Sequence, residues 1–207
     1  MIKRNSTHAR SEGSGVRRGA PARGEASARE RILATANELF YREGARPVGV
    51  DTIVERSGVS KTSLYRSFAS KDELIAAFAR EQDRRLWTWW DRVVARHPGD
   101  PRAQLTALLA GMAKIVGRAN FRGCPFLNLA TEFPDEAHPG HVIARANKTE
   151  MQRRLAALTH ALGAREPDRA ARQIALLMNG ANASGCLIDT ADLEEDLVGA
   201  AMAVIAS

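Results

Sequence analysis

Cysteine is scarce in this chain, and so are aromatic residues. Two cysteines, Cys124 and Cys186, occur among 207 residues. That is too few for a disulfide framework, and a reducing cytoplasm is the simpler expectation. No apolar run approaches the ~18–20 residues of a membrane span, so no membrane partner is expected. The first residues lack the apolar core and cleavage site of a secretory signal. Also missing are a glycine-rich phosphate loop, a Cys-x-x-Cys pair and a Ser/His/Asp set tied to a recognisable turn. These absences argue against an enzyme and leave no cofactor to expect. Runs of β-branched residues are few and alanine is abundant, which points to an all-helical protein. An apolar content of 44% suffices for a real core.

Charge is present but unevenly spread. The formal net charge is +6, which favours an anionic partner without identifying one. Residues 1–25 hold six basic side chains (Lys3, Arg4, Arg10, Arg17, Arg18, Arg23) and two acidic ones (Glu12, Glu25), a net +4. Rich in Gly, Ser, Arg and Ala with almost nothing to bury, this arm is expected to be disordered. It is either a solvated tail or a segment that follows a nucleic-acid backbone.

The most informative stretch is Gly49–Lys71. Asp51–Arg56 carries apolar residues at Ile53 and Val54 and reads as a short helix. Ser57-Gly58-Val59-Ser60 supplies a turn, with Gly58 where a helix C-terminus often needs positive φ. Ser60 is a suitable N-cap for a second short helix, Lys61–Phe68. There Leu64 and Phe68, four apart, turn inward above Val59. Lys61, Thr62, Ser63, Tyr65, Arg66 and Ser67 remain on the outer face, a set of donors, hydroxyls and one phenol suited to a major groove. The bland alternative is an αα-corner with a solvated face. Ser70 and Glu73 then form a capping box that opens a long helix, with Lys71 in its first turn, where ammonium and free backbone N–H groups can both meet phosphate.

The pattern GVS-K-x-x-LY-x-x-F-x-SKDEL, from Gly58 to Leu74, resembles the DNA-binding domain of the tetracycline repressor (TetR) family of transcription regulators. The resemblance extends upstream through Glu30–Ala36, Leu39-Phe40 and Gly44, and so covers about Ser27 to Leu74. One departure is Gly49-Val50, where the family usually caps the helix with Thr or Ser. The resemblance implies an all-α protein: residues 26–72 a helix–turn–helix DNA-binding domain, and residues 73–207 a helical domain for effector binding and dimerisation. It implies a homodimer on a palindromic double-stranded operator, released by a small-molecule effector. DNA contacts are expected from Val50, Lys61, Thr62, Ser63, Tyr65, Arg66 and Lys71, with Thr62, Ser63 and Lys61 at base edges and Tyr65, Arg66 and Lys71 on phosphates.

Helical periodicity continues along the chain. Ser27 and Glu30 form another capping box before a first helix whose inner face is Ile32, Leu33, Ala36, Leu39 and Phe40, ended by Gly44. A fourth helix is expected from about Lys71 to Arg96, with Leu74, Ile75 and Phe78 against the DNA-binding domain, Trp87 and Trp90 on one face, and Trp89 elsewhere. Pro101 starts a fifth helix and Pro125 a sixth, Pro125–Glu132. A seventh runs to Leu162. Pro167–Ile188 is apolar nearly all round and must be covered on every side. Asp192–Ile205 closes the chain. By the resemblance, the last two helices form a four-helix bundle with their copies, through Ile174, Leu177, Ala181, Ser184, Leu193, Leu197 and Val204.

An effector pocket is implied by the resemblance alone. Trp87, Trp90, Met112, Phe126, Met151 and Met178 are large soft side chains on the fourth to eighth helices, as an apolar ligand site requires. Asn182 is either its polar anchor or a hydrogen-bonding group across the dimer. The run Gly123–His141 also resembles the effector domain of one subgroup of the family. Two sharper chemistries compete here. Glu132, His138 and His141 hold metal-ligand types, though Pro134 and Pro139 make theirs a kinked loop rather than a rigid ligand face, and no metal is expected. Cys124, just before a proline-started helix, could serve as a thiolate sensor of oxidants, against the plainer reading of a buried inert thiol.

Overall fold

The computed structural model describes residues 26–206; the basic arm of residues 1–25 lies outside them. Among the described residues there are nine helices and no strand: α1 (Ala28–Glu43), α2 (Val50–Ser57), α3 (Lys61–Ser67), α4 (Lys71–Val94), α5 (Pro101–Val116), α6 (Pro125–Glu132), α7 (Pro139–Ala161), α8 (Pro167–Ser184) and α9 (Leu193–Ala206). No described helix is long and apolar enough to cross a membrane.

Capping explains most of the helix starts. Ser27 accepts from the Glu30 amide, and the Glu30 carboxylate accepts from the Ser27 amide at 2.7 Å, closing the box ahead of α1. These bonds hold the Glu30 carboxyl below its usual range, the Ser27 amide contributing most. At α4 the second box opens differently: Ser70 caps the Glu73 amide, but the Glu73 carboxylate reaches the amide of Ala69 at 2.6 Å. Proline stands in the first turn of α5 through α8, where its missing N–H costs nothing and its fixed φ suits the helix.

Two large buried clusters divide the molecule, with a small third of Cys124, Phe126 and Ala144 beside them. One gathers Ile32, Phe40, Ile53, Leu64, Phe68 and Phe78 beneath α1–α3 and the opening turns of α4, and takes Leu129 from α6. Phe40 and Phe78 meet edge to face at 5.6 Å. The other gathers Trp90, Leu105, Leu108, Leu155, Ile174 and Leu197 from α4, α5, α7, α8 and α9. Helix α4 runs through both, so the expected boundary at 72/73 falls where α4 still serves the first cluster through Leu74, Ile75 and Phe78.

Helices end close to the expected positions, with one instructive exception. α8 stops at Ser184 rather than Ile188; at the next residue, Gly185, the backbone lies so close to Val116 that a Cβ would lie 2.1 Å from Cγ1. Leu187 and Ile188 therefore sit beyond the helix and are exposed. Nor is α8 apolar all round: Asp168, Arg169 and Arg172 face solvent.

Candidate nucleic-acid interface and internal cavity

The α2–turn–α3 unit is built from the inside outward. Leu64 and Phe68 are fully buried with Val59 close by, and burial of such side chains stabilises by roughly 1.5–3 kcal/mol each. Gly58 adopts φ 63° at the end of α2, a left-handed conformation that costs other residues roughly 1–2 kcal/mol. Gly49 precedes α2 with no side-chain cap, as the sequence implies. Ser60 caps α3 by accepting from the Ser63 amide at 3.2 Å, and the Ser60 and Ser63 hydroxyls are hydrogen-bonded at 2.9 Å.

Of the expected contact residues, Lys61, Thr62, Tyr65 and Arg66 are exposed on α3, and Ser63 and Val50 are half-buried. Lys61 is held across the turn by Asp51 at 2.8 Å, and that hydrogen bond raises its pKa. Lys71 differs from expectation. Its ammonium donates to the Arg46 carbonyl at 2.8 Å, and burial lowers its pKa. It braces the α1–α2 loop instead of projecting from the α4 terminus. Glu132 holds the same loop from the other side, accepting from the Arg46 amide at 2.6 Å.

That bond also disposes of the metal-ligand cluster. Glu132 is committed to Arg46. His138 caps α7 by accepting from the Gly140 amide at 3.1 Å and stacks on Phe133 at 4.0 Å. His141 pairs through Nδ1 with the Phe133 carbonyl at 2.9 Å. Among the described residues, no three His, Cys, Asp or Glu side chains converge to hold a metal ion.

In the second half of the molecule α4–α8, with Tyr41 of α1 and the segment between α5 and α6, line a half-open cavity of about 580 Å³. Trp90, Met112, Phe126, Met151, Met178 and Asn182 line it together. Trp87 does not: its indole N–H donates to Asp83 at 2.8 Å and its ring lies under the Arg154 guanidinium at 4.4 Å. Trp89 takes that place, packed so tightly on Gly111 that a Cβ there would lie 2.8 Å from the ring. Asn182 donates to the Met178 carbonyl at 2.8 Å and to the Met112 sulfur at 3.2 Å, bonds made within its own chain at the cavity wall. Cys124 lines the cavity as well, 3.5 Å from Lys148 Nζ. Lys148 and its neighbour Asn147 are lining residues that sequence reasoning missed. The signal was available, since Lys148 falls on the inner stripe of α7 with Ala144, Met151 and Leu155.

The expected interface residues divide. Ile174, Ala181, Leu193 and Leu197 are buried in the chain's own core. α8 packs chiefly on α7 and α9, and α9 on α5 and α8. Leu177, Ser184 and Val204 are half-buried. The outward stripe of α8 is Leu176, Gly180 and Ala183, continued by Leu187 and Ile188.

A helix–turn–helix carried on three small helices, joined by one long helix to an all-helical second half with an internal cavity, defines a class of DNA-binding regulators rather than enzymes. The model of bacterial regulatory proteins of the tetR family matches residues 32–78. SCO4454, a TetR-family transcriptional regulator from Streptomyces coelicolor, is 32% identical in sequence, with 86% of this chain and 94% of that one aligned at a TM-score of 0.81. A TetR-type regulator from Streptomyces avermitilis is 31% identical over 86% of this chain and 99% of its own, at a TM-score of 0.74. The regulator YjdC of Escherichia coli is 24% identical over 177 residues, 82% of this chain and 93% of that protein. The chain belongs to the TetR family of DNA-binding transcriptional regulators.

Proposed function

We propose that this protein is a cytoplasmic homodimeric repressor that leaves a palindromic operator when a small molecule fills the cavity of about 580 Å³. The observation that carries the reading is the pairing of an outward polar α3 face with that cavity on one continuous helix, α4. In this reading residues 26–72 read DNA and residues 73–207 bind effector and partner. Each subunit lays α3 in a major groove. Thr62, Ser63 and Lys61 address base edges, Tyr65 and Arg66 hold phosphates, and Val50 packs on the backbone at the start of α2. Lys71 acts by holding the α1–α2 loop, and reaches a phosphate only by releasing Arg46. A ligand displaces α4 and α6. Because α6 holds the α1–α2 loop through Glu132, the separation of the two α3 helices changes. The exposed apolar residues Leu176, Leu187 and Ile188 support dimerisation through α8 and the segment after it.

The test is selection of random duplexes by the purified protein, followed by a compound screen for release. One inverted repeat with half-sites spaced by about one helical turn is expected. Equal affinity for all duplexes, or a monomer at micromolar concentration, would overturn the reading. A second reading is favoured by the Cys124–Lys148 contact at 3.5 Å: a cavity-lining thiol beside a lysine suits a sensor of oxidants or electrophiles. Under it, Cys124→Ser abolishes release by such reagents; an unchanged response removes it.

A further inference from the structure

We propose that the cavity takes an amphipathic organic acid. Its carboxylate is held by Lys148, a hydroxyl or N–H close to that carboxylate is held by Asn147, and its apolar body lies against Trp89, Trp90 and Met178. This rests on the reading of the cavity as a ligand site and names the chemistry that the site selects.

The charges facing the cavity are of one sign. Arg85, Lys114, Arg118 and Lys148 line it, and no Asp or Glu does. Two of these cations are answered from outside the lining, Arg85 by Glu81 at 2.6 Å and Lys114 by Glu194 at 3.8 Å. Lys148 is different. It is half-buried, and its ammonium donates to the Asn179 side-chain carbonyl at 2.7 Å and meets the Cys124 sulfur at 3.5 Å. No carboxylate among the described residues lies within 4.0 Å of it. An ammonium carries three donors, and these contacts use two. A half-buried positive charge without a counter-charge is less well solvated than one in bulk water, and an anion in the cavity would pair with it.

The next residue supplies an independent observation. Asn147 is 2% exposed. Its Nδ2 donates to Asp83 at 2.9 Å, which fixes the amide so that Oδ1 is the acceptor. That Oδ1 is buried with no hydrogen-bond partner. Asn147 lines the cavity while Asp83 does not, and a donor on a bound molecule that reached this buried oxygen would satisfy it. A purely apolar ligand would leave both polar groups unmet. A cationic ligand would face four like charges.

Calorimetric titration of the full-length protein with four probes sharing one ring system tests this: 2-naphthylacetate, 2-(2-naphthyl)ethanol, 2-(2-naphthyl)ethylammonium and 2-naphthylglycolate. The acid is expected to bind at least about tenfold tighter than the alcohol, the amine weakest, and the hydroxy acid severalfold tighter again. Lys148→Met should bring the acid down to the alcohol's affinity without changing the alcohol's, and Lys148→Arg should keep the preference. Asn147→Leu should erase the gain from the hydroxyl; should that variant not fold, the comparison of hydroxy acid with acid on the unaltered protein decides the point. An acid no tighter than its alcohol, a preference that survives Lys148→Met, a hydroxyl that adds nothing, or failure of all four probes to bind overturns the assignment. Operator affinity measured in the same samples separates the two readings. Lys148-dependent acid binding that leaves DNA affinity unchanged would sink ligand-driven release and leave the ligand class standing; release by the alcohol but not the acid would do the reverse.

Discussion

Beneath α3 the polar ends of the helices are answered within a few residues: Ser27 and Glu30 cap each other, Ser60 caps the Ser63 amide and Ser70 the Glu73 amide. Ile53, Leu64 and Phe68 are buried to within 1% of complete. The half of the molecule on the far side of α4 is built otherwise. Its core is interrupted by a cavity of about 580 Å³, an asparagine oxygen inside it has no partner, and Lys148 has no carboxylate near. The contrast separates two tasks. A face that reads DNA must be rigid, and its support is closely packed, although α2 lacks a side-chain cap and His138 Nε2, beside Phe133 at the edge of that core, is buried without a hydrogen bond. A region that responds to a ligand must retain unmet interactions for the ligand to meet.

The largest effect that could break this contrast is expected at Leu64. Leu64→Ala should cost about 3–5 kcal/mol in urea unfolding and abolish operator binding, whereas Met178→Ala, beside existing empty space, should cost about 2 kcal/mol or less. Equal costs would mean that the two halves are packed alike. Next comes the point where they meet. Glu132→Ala leaves the Arg46 amide without its acceptor, and a loss of about 1–2 kcal/mol is expected, with weaker operator binding. Undiminished DNA affinity would show that α6 does not hold the reading head. On the outer face, Thr62→Ala should change base preference by about 1 kcal/mol in competition binding. Arg66→Ala should instead weaken all sequences alike and lower the salt slope by about one. A reversal of those two behaviours would reverse the assigned roles.

The smallest effect lies on the solvent face of α7. Hydrogen bonds from Arg153 and then Arg154 bring the Glu150 carboxyl from 4.5 down to about 2. A carboxyl with a depressed folded-state pKa contributes stability in full above its unfolded value, and loses it as pH falls through the folded one. Glu150→Gln should therefore destabilise slightly at pH 6, by less than about 1 kcal/mol for a partly solvent-screened pair, read as a small drop in melting temperature. The difference from the unaltered protein should vanish between pH 4.5 and about 2. A difference that grew in acid would contradict the assigned cause.

Local signals in the chain carried the reading head almost completely. Gly58, Ser60, Leu64 and Phe68 act within eleven residues of one another, so turn, cap and buried face follow from spacing alone. The cavity was legible only in part. Residue type marked Trp90, Met112 and Met178, but choosing between Trp87 and Trp89 depends on Asp83 and Arg154 holding one indole and on Gly111 admitting the other. The expected subunit contacts were legible only in part for a related reason. The apolar stripes of α8 and α9 say that each must be covered, not by which chain, and Ile174, Leu193 and Leu197 are buried in the chain's own core.

Periodicity, capping residues and the punctuation by proline and glycine determined the helices and the outward face of α3, because those depend on contacts between near neighbours in sequence. Packing of distant helices decided the rest. It drew Lys71 onto the Arg46 carbonyl, set Lys148 and Asn147 into one cavity, and left Leu176 outside while Ile174 went in. Such choices depend on which surfaces meet across the fold, and residue spacing along a single helix holds no information about its partner.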